Sequence, residues 1–121
     1  MSSKAIGSFW ENKAAQFLVG AGLSIIARNV RYSGGEIDLI ARDNRTLVFI
    51  EVKMLSDRQF GSAASRVHTR KQRRIIFAAQ CFLSSRPALL QLPCRFDVLA
   101  WEPRDGQHEA RWIKQAFEAP G

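Results

Sequence analysis

Four residues in this chain, Glu36, Asp38, Glu51 and Lys53, have the types and spacing to do chemistry together. They lie in "GGEIDLIARDNRTLVFIEVK", residues 34 to 53. Two apolar runs there read as strands, and both carry charge where burial makes charge costly unless it is paired or bound to a metal. Strand side chains alternate, so Glu36, Asp38 and Ile40 share one face, and Leu47, Phe49, Glu51 and Lys53 share another. A two-residue turn at Asn44-Arg45 sets Asp38 directly opposite Glu51. A turn at Asp43-Asn44 instead sets Glu51 opposite Glu36, with Asp38 one diagonal step away. Either register brings the carboxylates of Asp38 and Glu51 within roughly 5–8 Å. Lys53 follows roughly 6.6 Å farther along the same face.

Two carboxylates at that range suit a hard cation such as Mg²⁺, with Mn²⁺ as its substitute; such ions take oxygen ligands, including substrate phosphate. The carbonyl of Val52 is a further candidate ligand. A lysine beside them can orient or deprotonate a water and steady developing negative charge. In outline this is a phosphodiester hydrolysis site. The plainer alternative is an ion pair between Glu51 and Lys53 at a strand end, with Asp38 bonded to turn backbone. An isolated ExK occurs everywhere by chance. The longer pattern favours the metal: acid after a Gly-Gly turn, hairpin, then acid and lysine closing an apolar strand.

The elements that must position these groups follow from periodicity. Residues 5 to 21 predict a helix, with Trp10, Ala14, Phe17 and Ala21 as its inward stripe. Glu11 lies on the flank it shares with Ala15 and Leu18. Strands are expected over 23–32, 36–42 and 46–53. Residues 54 to 68 read as a long loop. Thr69 is the expected N-cap of a second helix over 70–85, with Ile75, Ile76, Ala79, Phe82 and Leu83 facing the core. Residues 86 to 93 connect to strands at 94–102 and 109–117 around the turn "PRDG". The order is αβββαββ, an α/β fold with one mixed sheet flanked by two helices.

The chain of 121 residues fits one domain, 1–121, with a core spanning about 5 to 117. No apolar run reaches the ~20 residues of a membrane span, and the N-terminus lacks a signal-like apolar region, so a cytoplasmic protein with no membrane partner is expected. Cys81 and Cys94 read as buried thiols of a reducing compartment rather than a disulfide. Eighteen Lys and Arg against eleven Asp and Glu give a net charge of +7, which favours a polyanion, nucleic acid first.

"GGEIDLIARDNRTLVFIEVK", "KQRRI" and "RFDVLA" resemble the YraN-like family of small bacterial proteins. That family is in turn similar to Holliday-junction resolvases of the PD-(D/E)xK nuclease superfamily. The resemblance runs from about residue 7 to residue 101. It implies a restriction-endonuclease-like fold, Mg²⁺-dependent cleavage of DNA, duplex or branched, and a homodimer that supplies two sites to a junction. It also implies a site made of a helix acid, a strand acid and an ExK, matching Glu11, Asp38, Glu51 and Lys53. Gln72 resembles a polar helix position that some members use beside the metal. One departure is "MLSD", where the pattern carries a basic residue soon after the lysine.

The stretch "RVHTRKQRR" opens the second helix with Arg66, Arg70, Lys71, Arg73 and Arg74. Positive charge at a helix start, where backbone N–H groups also attract anions, suits phosphate contacts; a merely solvated face is the alternative. Lys71 and Arg74 are read as pointing away from the Ile75/Ile76 stripe. His68 reads as a surface residue, the three tryptophans as core or sheet-covering aromatics, and Asp97 as a structural partner of Arg95 or a neighbouring strand. The reading reached is a metal-dependent DNA endonuclease. Its rivals are a non-catalytic nucleic-acid-binding module on the same fold and an interaction protein with a structural charge network.

Overall fold

The computed structural model describes residues 3–56 and 66–120, with side chains from residue 5 onward. Its elements are α1 (Ser3–Gly20), β1 (Ser24–Tyr32), β2 (Gly35–Asp43), β3 (Thr46–Met54), α2 (Thr69–Ser84), a single 3₁₀ turn (Pro87–Leu89), β4 (Cys94–Arg104) and β5 (Gln107–Phe117). The expected order αβββαββ holds. Most of the expected 54–68 loop lies outside the described residues.

The five strands form one sheet in sequence order, β1-β2-β3-β4-β5. Every neighbouring pair is antiparallel except β3 and β4, which α2 joins as a parallel crossover. Each face of the sheet carries one helix. Ala14, Ala15 and Leu18 of α1 pack with Leu39, Ala41, Val48, Ile50, Leu99 and Trp101. On the other face Ile75, Ala78, Ala79 and Phe82 of α2 pack with Ile40, Leu47, Phe49, Val98 and Ala100. Strands covered on both faces explain the near-continuous apolar runs of β3 and β4.

Two turns fix the register. Asp43 pairs with Thr46, so Asn44-Arg45 is the two-residue turn between β2 and β3, and Asn44 takes φ 56°. Asp105 and Gly106 both have positive φ, the combination that a type I′ hairpin demands and that Asp-Gly supplies. That turn lets β4 and β5 run two residues closer to each other than expected, to Arg104 and Gln107.

Three local readings need correction. The buried stripe of α1 is Ala14, Ala15 and Leu18, while Phe17 is 39% exposed and Ala21 lies past the helix end. The helix is therefore rotated toward the flank that carries Glu11. Residue His68, not Thr69, occupies the N-cap of α2, and no side chain caps it. Cys94 is exposed and Cys81 only half-buried, though both thiols are free as expected.

Candidate functional site

The site forms where β2 and β3 part. Their ladder runs from Asp43↔Thr46 to Leu39↔Ile50 and stops one pair short of Asp38 and Glu51. Beyond that point Asp38 replaces the missing ladder contact: its Oδ2 accepts the backbone N–H of Val52 at 2.8 Å. Opposite, on β1, Asn29 takes φ 50°, and the ladder steps from Arg28↔Leu39 to Val30↔Ile37 with no pair at Asn29 and Asp38. Asp38 thus sits at a break on both sides of its strand. Asp38 and Glu51 are drawn onto one face, as the Asn44-Arg45 register requires, close enough for Asp38 to raise the Glu51 carboxyl.

Glu51 is only 8% exposed. Burial first, and the facing Asp38 second, push its carboxyl up to about 8, against the opposing pull of Lys71. Two carboxyls crowded together in a poorly hydrated place cannot both ionise easily. Glu11 of α1 lies near enough to Asp38 to feel its charge. It stands a turn ahead of Ala15 and Leu18, so the rotation of the helix brings it inward. Its Oε1 is buried with no hydrogen-bond partner among the described residues. Burial and then Asp38 raise its carboxyl, while Arg31 and Arg28 pull the other way. Together with Gly7, Ser8, Asn29 and Arg31, Glu11 lines a small cavity of about 340 Å³.

Lys53 follows Glu51 on the same strand face, half-buried, and its Nζ donates to the carbonyl of Arg66 at 2.6 Å. Burial is the largest cause that lowers its amine, with Arg66 and Lys71 adding to it and Glu51 resisting. Lys71 reaches the same carboxylate from α2, its Nζ 3.1 Å from Glu51 Oε1. Burial works against the Lys71 charge, yet Glu51, with Asp38 and Glu36 beyond it, holds the amine above its ordinary range. Both members of this ion pair are raised because, for Glu51, burial and Asp38 outweigh what the lysine returns.

That contact corrects the reading of Lys71. It stands four residues before Ile75 and so lies on the inward line of α2, not away from it. Arg66, Arg70, Arg73 and Arg74 are exposed. Gln72 turns back along its own chain: its Nε2 donates to the Val67 carbonyl, ahead of the helix start, at 2.7 Å. Among the described residues no group of three or more His, Cys, Asp or Glu is arranged to hold a metal.

The Gly-Gly turn has a steric purpose. A Cβ on Gly35 would run into the carbonyl oxygen of Arg74, and one on Gly34 would stand 2.8 Å from the Phe77 ring. Glycine therefore lets the second and third turns of α2 close onto β2, with Lys71 one turn before them reaching Glu51. This signal was available in the sequence, since paired glycines ahead of a strand mark close backbone approach.

Comparison with known proteins places the chain. The model of the uncharacterised protein family UPF0102 matches residues 10–101. The chain belongs to the UPF0102 family. It is 48% identical over 118 residues to a UPF0102 protein of Alcanivorax borkumensis, covering 96% of this chain and 94% of the relative. A UPF0102 protein of Xanthomonas oryzae pv. oryzae is 44% identical over 116 residues, covering 93% and 91%. Another, from Janthinobacterium, is 44% identical over 115 residues, covering 93% and 87%. The expected YraN-like membership is thereby borne out. The site residues fall inside the matched span, including Glu11 near its start. No helix among the described residues is long and apolar enough to cross a membrane.

Proposed function

We propose that this UPF0102 protein hydrolyses phosphodiester bonds of DNA, with a divalent cation, Mg²⁺ or Mn²⁺, held by Asp38 and Glu51. The observation that carries the reading is the Asp38–Glu51 pair at the split of β2 and β3. Its carboxyls stand close enough to interact, and Glu51 is raised to about 8. A buried pair in that state is short of positive charge, and Glu11 adds a buried oxygen with no partner among the described residues. The donor set is all oxygen, which suits a hard cation. A bound cation would supply charge neutralisation and polarise the phosphoryl group.

The chain's own groups account for the rest. Lys53 is lowered chiefly by burial, so its amine is suited to take a proton from a water attacking phosphorus. The new P–O bond forms on that water's oxygen, the ester P–O bond breaks, and the leaving oxygen is protonated by solvent. Arg66, Arg70, Arg73 and Arg74, exposed at the start of α2, supply a sequence-independent hold on phosphates. Branched DNA as substrate and a homodimer that presents two sites belong to the same proposal.

One observation favours a second reading, a nucleic-acid-binding module without cleavage. Lys71 already supplies Glu51 with a cation, and no three-ligand group stands among the described residues. Nicking of a plasmid and of a four-way junction with Mg²⁺, Mn²⁺ or Ca²⁺ separates the two. Cleavage with Mg²⁺ or Mn²⁺ is expected, lost in Asp38→Asn and Lys53→Met while DNA binding persists. Asparagine can still accept the Val52 N–H, so the first variant tests charge rather than fold. Wild-type protein that binds DNA but cuts it with no metal decides for the binding module.

A further inference from the structure

Two lysines feel the charge of Glu51, and they are held very differently. Lys53 is anchored to backbone, donating to the Arg66 carbonyl at 2.6 Å. Lys71 meets Glu51 Oε1 at 3.1 Å across a steep gradient of exposure, its side chain 49% exposed against 9% for Glu51. It springs from the first turn of α2, beside Arg70, Arg73 and Arg74, where nucleic-acid phosphates would arrive. Its four-carbon stem turns readily between partners, as a rigid guanidinium fork does not.

An ammonium on Oε1 and a hydrated divalent ion on the same nearly buried carboxylate compete for one approach, and their like charges repel. Once displaced, Lys71 remains within a side chain's sweep of the exposed basic turn. We infer that Lys71 is a displaceable cation: it occupies Glu51 until a divalent ion takes that carboxylate, and the released ammonium then binds a phosphate of the nucleic acid. The inference rests on the metal-binding reading above. It makes metal and nucleic acid bind cooperatively, and linkage requires the effect to be mutual. It also assigns Lys71 two partners in sequence, where the primary structure alone suggested only phosphate.

The test uses the full chain and needs no turnover. Mn²⁺ affinity is measured by calorimetry for wild type, K71M and K71R. Affinity for a labelled duplex is measured at fixed ionic strength with Ca²⁺ or with chelator. K71M should bind Mn²⁺ tighter by on the order of fivefold, the low end of usual coupling between sites, while K71R, whose guanidinium fork leaves the carboxylate less readily, should bind it no tighter than wild type. Ca²⁺ should strengthen duplex binding by wild type, and K71M should lose most of that gain. In wild type alone, saturating Mn²⁺ should raise the reactivity of Lys71 toward an amine-labelling reagent, read by mass spectrometry, so the test stands even if a variant folds poorly. Equal or weaker Mn²⁺ binding by K71M, or Lys71 labelling indifferent to Mn²⁺, overturns the inference and leaves the nuclease reading intact. Absence of Mn²⁺ binding by wild type and variants alike overturns both.

Discussion

Asp97 and Glu51 are both buried acids on neighbouring central strands, yet they are treated in opposite ways. Asp97 is fully buried and faces the α1 side. Arg95 Nε reaches both its oxygens at 3.1 and 3.2 Å, Trp112 Nε1 donates at 2.8 Å and the Gln115 N–H at 2.9 Å. Arg95 in turn holds Asp43 at 2.9 Å. Glu51 faces the α2 side with another carboxyl against it and one half-exposed lysine paired to it for relief. The first acid is saturated and ties β2, β4 and β5 together. The second is left short of positive charge. Proteins retain such shortage where a ligand supplies the remainder, which is why perturbed carboxyls cluster at functional sites.

Substitution should expose the contrast most strongly at Asp97. Asp97→Ala leaves the Arg95 charge, the indole N–H and an amide without their acceptor, and should cost about 3–5 kcal/mol in denaturant unfolding. A loss under about 1 kcal/mol would erase the distinction between the two acids.

Gly35→Ala comes next. The added methyl must push α2 from β2, so a loss of about 1–3 kcal/mol is expected, as for other overpacked contacts. The same shift should loosen Lys71 from Glu51, detectable as a downfield or upfield move of the labelled Lys71 Nζ resonance.

Glu51→Gln should do the reverse of Asp97→Ala. The folded-state carboxyl of Glu51 lies at about 8 against an ordinary 4.5. Folded protein therefore retains a proton that the unfolded chain gives up, and wild-type stability falls as pH rises from about 4.5 to 8. Glutamine does not titrate. The variant should match wild type near pH 5 and exceed it near pH 8, by about 1–2 kcal/mol as an order of magnitude. A variant less stable than wild type at pH 8 would make Glu51 a structural acid like Asp97.

Trp112→Phe gives the smallest effect, since it removes one donor from an acid that keeps two others, the Arg95 Nε and the Gln115 N–H. About 1 kcal/mol is expected, with no change in Mn²⁺ binding. A change in metal affinity would show that the two regions communicate across the sheet.

Much of the fold was legible because alternation and turn chemistry agreed. Either turn the sequence offered, Asn44-Arg45 or Asp43-Asn44, put Asp38 and Glu51 on one face, and "PRDG" marked the last hairpin. Asp97 with Arg95 was legible as well, because a charged pair two residues apart on one strand face can close on itself. The orientation of α1 was not. Trp10, Ala14 and Phe17 form a plausible stripe by spacing, but the sheet accepts the small residues Ala14 and Ala15 with Leu18. Phe17 is left to meet the Trp112 ring edge-on at the rim. Helix phase is decided by the opposing surface, which periodicity does not contain. Lys71 was misplaced for a related reason: a cation on an inward helix line reads as an error until the acid beneath it is known. The role of Arg28 and Arg31 in offsetting Glu11 depends on a β1–α1 proximity that no local pattern announces.

The bond from the Val52 amide to Asp38 has a spectroscopic consequence. That proton belongs to the main chain of β3, yet its acceptor is a side chain at the candidate centre. Its nitrogen–proton shift, and its rate of exchange with deuterium, therefore follow whatever Asp38 is holding. Titrating a cation or a nucleic acid into ¹⁵N-labelled protein should move the Val52 cross-peak early and strongly, while the amide of Ile50, paired in the ladder, stays nearly still. One backbone resonance thus serves as a built-in gauge of the site, readable without any substrate being consumed.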